Sequence, residues 1–196
     1  MGFVGWVEQS ETHHQLKNKK MTEYRRHRFQ GGTYFFTVNL ADRSQTLLTD
    51  HIEILRESFR TVKQKHPFTM EAIVILPEHL HTIWTLPEGD DDFSLRWRQI
   101  KSEFSRHIEI AEKISNSRIR KSERGIWQRR FWEHRIKDEN DFARHVDYIH
   151  FNPVKHGHVT TAADWPYSSF HQYVKRGIIP ANWGGVAGLE NDLNLG

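Results

Sequence analysis

The chain has 196 residues, which suits one domain with tails, and it carries a net charge of +3 with a pI near 9.2. It contains no cysteine, which excludes disulfides and thiolate zinc sites. It has no apolar run of about 18 residues and no charged start followed by an apolar block, so a soluble, cytoplasmic protein with no membrane partner is expected.

Residues 1–20 show no sustained periodicity and end in lysines, so residues 1–23 are expected to form a flexible basic arm. Met21 offers a second possible start. Gly31-Gly32 signals a turn, and Thr33–Leu40, rich in aromatic and β-branched residues, predicts a strand. Asp50 with Glu53 has the spacing of a capping box. Ile52, Leu55, Phe59 and Val62 then recur at helical spacing, predicting a helix over 50–65 that Pro67 stops. Strands are expected at 68–76 and 79–86, joined by the short turn at Pro77-Glu78. Trp97, Ile100, Phe104 and Ile108 predict a helix over about 93–114. Residues 126–136 read as a strand. Asp138 to Asn140 offer N-caps for a last long helix, which Pro153 and Gly157 are expected to end. The order β-α-β-β-α-β-α predicts an α+β, ferredoxin-like split β-α-β sandwich, an antiparallel sheet with helices packed on one face. The core domain is expected over 24–177, with 178–196 as a C-terminal extension.

Charge is unevenly spread. Lys17, Lys19, Lys20, Arg25, Arg26 and Arg28 form one basic block, and a second runs from Arg118 to Lys137. Such blocks suit a polyanion, although solubilising surface charge accounts for them equally well. In the second block Trp127, Arg129, Arg130, Phe131, Trp132 and Arg135 interleave planar and basic side chains. Unpaired bases stack on aromatics while cations hold phosphates, so these residues are candidates for contact with single-stranded nucleic acid. Trp132 is the member best read as a core aromatic. Lys155 and the Arg25-Arg26-His27-Arg28 run are further candidates for phosphate contact.

Two features carry chemistry. His79 and His81 flank Leu80 on a predicted strand, so both imidazoles face one side, about 7 Å apart along the strand, where they can converge on one ion. With 14 histidines in the chain, such a pair alone is weak evidence for a metal, and two surface histidines explain it as well. No HExxH or comparable zinc motif accompanies it. On the last helix, Phe142, Val146 and Ile149 form one apolar stripe. Tyr148 lies more than about 90° away from it, flanked by His145 and Asn152. The stripe therefore leaves Tyr148 unexplained. A tyrosine hydroxyl, with a pKa of about 10, is a poor nucleophile at neutral pH. A divalent ion on a phosphate oxygen and correct orientation are what such an attack requires.

The stretches GGTYFFTVNL (31–40), LPEHLHTIW (76–84), GIWQRRFWEHRI (125–136), YIHFNPVKHG (148–157) and DWPYSSF (164–170) together resemble the single-tyrosine HUH transposases, and within them the REP-associated tyrosine transposases. The resemblance spans about 24–183. It implies a ferredoxin-like nuclease core with His79 and His81 as the metal-binding pair, Tyr148 as nucleophile and Asn152 as third ligand of Mg²⁺ or Mn²⁺. It implies cleavage and rejoining of single-stranded DNA through a 5′-phosphotyrosine, on REP-like palindromes folded as hairpins, by a monomeric, nucleoid-associated enzyme. Two alternatives stand beside it: a hairpin-binding protein that does not cut, and a metal-dependent hydrolase that uses water.

Overall fold

The computed structural model describes residues 28–109, 120 and 124–184. Four strands form one antiparallel sheet: β1 (Thr33–Asn39), β2 (Thr69–Ile75), β3 (His79–Thr85) and β4 (Trp132–Arg135), in the order β2-β3-β1-β4. The helices are α1 (Leu47–Asp50), α2 (Ile52–Lys65), α3 (Phe93–Arg106), α4 (Glu139–Lys155) and α5 (Phe170–Lys175), with a 3₁₀ turn at Ala162–Asp164. The sandwich class expected from the element order is the class observed.

Strand alternation divides the interior into two cores. Tyr34, Phe36 and Val38 of β1 join Leu80 and Trp84 of β3 beneath α2 and α3, around the stacked pair Trp84–Trp97. Phe35, Ala72, Val74 and Ile83 project from the other side and meet Val146 and Ile149 of α4. The expectation of helices on one face therefore holds for α2 and α3 and is corrected for α4, which covers the opposite face. The sequence already contains the cause, because β1 is apolar at Tyr34, Phe35 and Phe36 in succession. A strand buried on both sides needs a layer on each.

Several element boundaries differ from expectation. Asp50 does not cap α2; its carboxylate accepts a hydrogen bond from the Thr46 hydroxyl at 2.5 Å, and the N-cap is His51, without a side-chain cap bond. The helix predicted to reach 114 ends at Arg106, and His107–Glu109 are not helical. The strand predicted over 126–136 is confined to 132–135, with only an isolated bridge from Trp127 to Leu40 before it.

The helix α4 begins at an N-cap, Asp138, whose side chain accepts the Asp141 N–H at 2.8 Å. It passes through Pro153 rather than ending there, so Asn152 keeps a place in the helix. It stops two residues later in a Schellman motif. His158 N–H donates to the Pro153 carbonyl, Gly157 N–H donates to the Val154 carbonyl, and Gly157 sits at φ +70°.

The outer edge of β2 is covered by 165–169. The Trp165 indole N–H donates to the Ile75 carbonyl, and Ser169 N–H donates to the Ile73 carbonyl. The segment after Gly177, expected to be a loose extension, folds back as far as it is described. Trp183 packs on His150, Phe151 and Phe170. No helix among the described residues is long and apolar enough to cross a membrane.

Candidate active site

The site lies on the α4 face of the sheet. Register fixes it: His79 pairs with Asn39, His81 with Thr37, and Thr37 in turn with Trp132. Leu80 points into the opposite core, which locks the strand so that both histidines emerge here. Their rings stand 4.9 Å apart. The Glu78 carboxylate holds His79 Nδ1 at 2.9 Å, and Thr37 Oγ1 holds His81 Nδ1 at 2.9 Å. With Nδ1 engaged, Nε2 is the nitrogen left for a ligand, an arrangement typical of metal-binding imidazoles. Both rings are buried, and burial lowers their pKa so that they stay neutral. His81 Nε2 is buried without a hydrogen-bond partner among the described residues.

Tyr148 reaches this pair from above. Its ring stands edge-on to His81 at 5.1 Å and to Phe35 at 5.9 Å, with the Lys155 ammonium 4.9 Å from its centroid. The helical stripe leaves Tyr148 off the core, yet in the fold it is half-buried and packs against the core around Phe35. Burial raises the phenol pKa, and the neighbouring Asn152 amide opposes this only in part, so the hydroxyl is neutral at pH 7. Asn152 is 0% exposed, and beyond its interaction with the Tyr148 hydroxyl neither its amide oxygen nor its amide nitrogen has a hydrogen-bond partner among the described residues. A buried carboxamide so short of partners is costly, on the order of 1–3 kcal/mol.

His79, His81 and Tyr148 line a cleft of about 780 Å³, whose walls also include Arg43, Lys155, His156, Trp132, Lys137, Asp141, Arg144 and His145. A second group of donors lies in it. His134, Asp141 and His145 bring their ligand atoms within 4.8 Å of one another, so the described residues do contain a His/Asp group able to hold an ion. Its atoms are already engaged, however. Asp141 Oδ2 accepts from His134 Nε2 at 2.8 Å and from Lys137 N–H at 3.0 Å, and His145 Nδ1 donates to the Asp141 carbonyl at 2.7 Å. The buried Nε2 of His81, by contrast, has no hydrogen bond to give up among the described residues.

The expected nucleic-acid contacts separate. Lys155 lines the cleft. Trp127 is corrected to a core residue, 6% exposed, with its ring against Phe104 and the Lys101 ammonium. Arg135 pairs with Tyr34, on the α2/α3 face, and lies 3.9 Å over Phe29. Arg28 is turned toward Asp91 and Asp92 at 3.7 and 3.5 Å. Arg129 and Arg130 are exposed ahead of β4, and Arg25 and Arg26 lie outside the described residues. Sequence reasoning missed Arg43, Lys137, Arg144, His134 and Asp141. It also misread Trp132, which is exposed. The available signal was parity, since Trp132 and His134 alternate with Phe131 and Glu133.

No family model matches the chain. Individual proteins do. The chain is 50% identical over 165 residues to a REP-associated tyrosine transposase of Escherichia coli strain K12, covering 84% of this chain and 92% of that protein. It is 47% identical over 171 residues to a putative REP-associated tyrosine transposase of Haemophilus influenzae, covering 87% and 97%. A solved structure of the REP-associated tyrosine transposase bound to a REP hairpin shares 50% identity and superposes with a TM-score of 0.72, covering 86% of this chain and 92% of that one.

Proposed function

The chain belongs to the REP-associated tyrosine transposases, and on that premise we propose that it cuts and rejoins single-stranded DNA at the foot of REP-like hairpins with Tyr148 as nucleophile. The observation that carries this is the seat of Tyr148: edge-on to His81 at 5.1 Å, at the wall of a cleft rimmed by Arg43, Lys137, Arg144 and Lys155. In the reaction, Tyr148 Oη bonds to the phosphorus and the bond from phosphorus to the 3′ oxygen breaks. The phenol proton leaves and the departing oxygen takes one up, so a free 3′-OH and a 5′-phosphotyrosine result. Because the phosphoester is conserved, a later attack by a 3′-OH reverses the step without ATP.

His79, His81 and Asn152 would hold the divalent ion, Mg²⁺ or Mn²⁺. Bound there, the ion supplies a Lewis acid for a non-bridging phosphate oxygen. The protein's own part is to hold Tyr148 between Phe35 and His81, so that its oxygen approaches from one direction, and to gather phosphate with Lys155 and the rim cations. Arg129 and Arg130, exposed before β4, serve the flanking duplex or strand. The reading is completed by a transposase domain within 24–177, a monomer and a nucleoid-associated, cytoplasmic location.

The decisive experiment incubates the protein with labelled hairpin DNA and Mn²⁺ and resolves it on a denaturing gel. The wild type forms a covalent adduct. Tyr148→Phe forms none, while binding the same hairpin within a few fold. An adduct that persists in Tyr148→Phe overturns the assignment.

A further inference from the structure

The cleft has an aromatic wall that the chemistry at Tyr148 does not use. Trp132 lies on β4, the edge strand, in the cross-strand row Trp132–Thr37–His81. Its side chain is 53% exposed, one of three exposed large apolar side chains among the described residues. An indole in water forfeits burial at roughly 25 cal/mol per Å² of apolar surface, so its exposure calls for an explanation.

The ring is nevertheless held. It stands edge-on to Phe35 at 5.7 Å and lies parallel to His134, 6.0 Å away at 8°. His134 lies parallel in turn to His145, at 4.8 Å and 14°. Both imidazoles are tied to Asp141 by the hydrogen bonds given above. Asp141 thus fixes two rings, His134 through its carboxylate and His145 through its backbone carbonyl, and His134 sets the tilt of the exposed third. Phe35 also carries Tyr148 on its edge at 5.9 Å, so the indole and the phenol are neighbours across one ring. Lys137 and Arg144 line the same cleft.

A planar apolar face, held rigid, open to solvent and rimmed by cations, is the chemistry that receives an unpaired base while its phosphate is paired. A base inside a duplex is already stacked on both sides and is excluded. We propose that Trp132 is the stacking platform for one unpaired base of the bound strand, adjacent to the phosphate presented to Tyr148. This rests on the reading of the cleft as a single-stranded DNA site.

The test is a double-mutant cycle on binding, run in the Tyr148→Phe background so that no cutting intervenes. Anisotropy of a labelled hairpin with unpaired flanks is measured with each flanking nucleotide made abasic in turn. In the background protein, one abasic position weakens binding at least about fivefold, the lower end expected for one base–aromatic stack. With Trp132→Ala added, the same replacement costs less than twofold. Trp132→Leu keeps apolar bulk without a π face and gives the same answer should the alanine variant fail to fold, while Trp132→Phe retains most of the penalty. The proposal is overturned if no abasic position matters, or if the penalty is unchanged when Trp132 is removed. The two readings fail separately: a wild type that forms no adduct sinks the tyrosine chemistry with the stack intact, and an adduct with an unchanged abasic penalty sinks the stack alone.

Discussion

His81 and Asn152 bury polar atoms with few partners or none, and Asp141 has more partners than any other carboxylate in the cleft; these two conditions predict opposite responses. An ion that satisfies His81 Nε2 and the Asn152 amide binds the folded state only, and at a hundred times its dissociation constant it stabilises by about 2.7 kcal/mol. Mn²⁺ added to metal-stripped protein should therefore raise the melting temperature, and both His81→Ala and Asn152→Ala should lose the rise. If Asp141→Asn loses it instead, the ion sits on the His134–Asp141–His145 group. For Asp141 itself, burial alone would raise the pKa, but the hydrogen bonds from His134 and the Lys137 N–H outweigh it and hold the carboxyl below its usual range. Its contribution is therefore present above the unfolded value of about 4 and is lost as pH falls through the folded value. Asp141→Asn should cost about 2 kcal/mol at pH 7, since it turns an amide donor toward other donors. Denaturant melts at falling pH should show the gap between variant and wild type closing in acid; a constant gap would mean that the ionised carboxylate is not what His134 and the Lys137 N–H grip.

At the scale of elements, the termini of α4 decide where Tyr148 stands. Gly157 at φ +70° closes the Schellman motif, and a Cβ there meets nothing within 4 Å. Gly157→Ala should therefore destabilise through backbone strain alone, by about 1–2 kcal/mol, and Gly157→Asn by less, because asparagine tolerates the left-handed region. Equal losses for the two, in urea melts, would point to packing instead. The same helix shows what could be read in advance. Its start at Asp138, its apolar residues Val146 and Ile149 and the place of Tyr148 off that stripe all follow from local spacing, as do β3 and the common side of His79 and His81. Its passage through Pro153 was not legible, because the bias against a helical residue before proline is local, whereas burial of Asn152 and Pro153 against the rest of the fold overrides it. Nor was the face of the sheet that α4 covers, since periodicity gives a helix its stripe but not its partner. Trp132 failed for a related reason. Aromatic residues on a strand read as core; parity separates Trp132 from Phe131, but the sheet order is what shows that β4 is an edge strand.

The whole molecule is a thin sheet between two cores, and the second core is built partly from imidazoles. His145 and His150 of α4 are both buried, as are His79 and His81 on the sheet below, and burial lowers the pKa of all four. Each stays neutral in the fold at a pH where the unfolded chain, titrating near 6.5, has begun to take up protons. Below that value the unfolded state binds more protons than the native state, so stability falls as pH falls until the folded value is reached. His150 gives the clearest case, since it lies away from the cleft, with Nε2 against Ser169 Oγ at 3.0 Å and its ring edge-on to Tyr173 and Phe170. Its pKa drops from 6.5 to about 4. Between pH 7 and pH 5 that shift alone removes about 2 kcal/mol, on the scale of 1.36 kcal/mol per unit. His150→Gln keeps an amide for Ser169 and cannot take up a proton, so its stability should change with pH by about that much less, whatever its stability at pH 7. Melts of both proteins in EDTA, where His79 and His81 contribute equally to each, read the difference directly. Parallel pH curves would show that His150 takes up its proton within the fold as readily as in the unfolded chain.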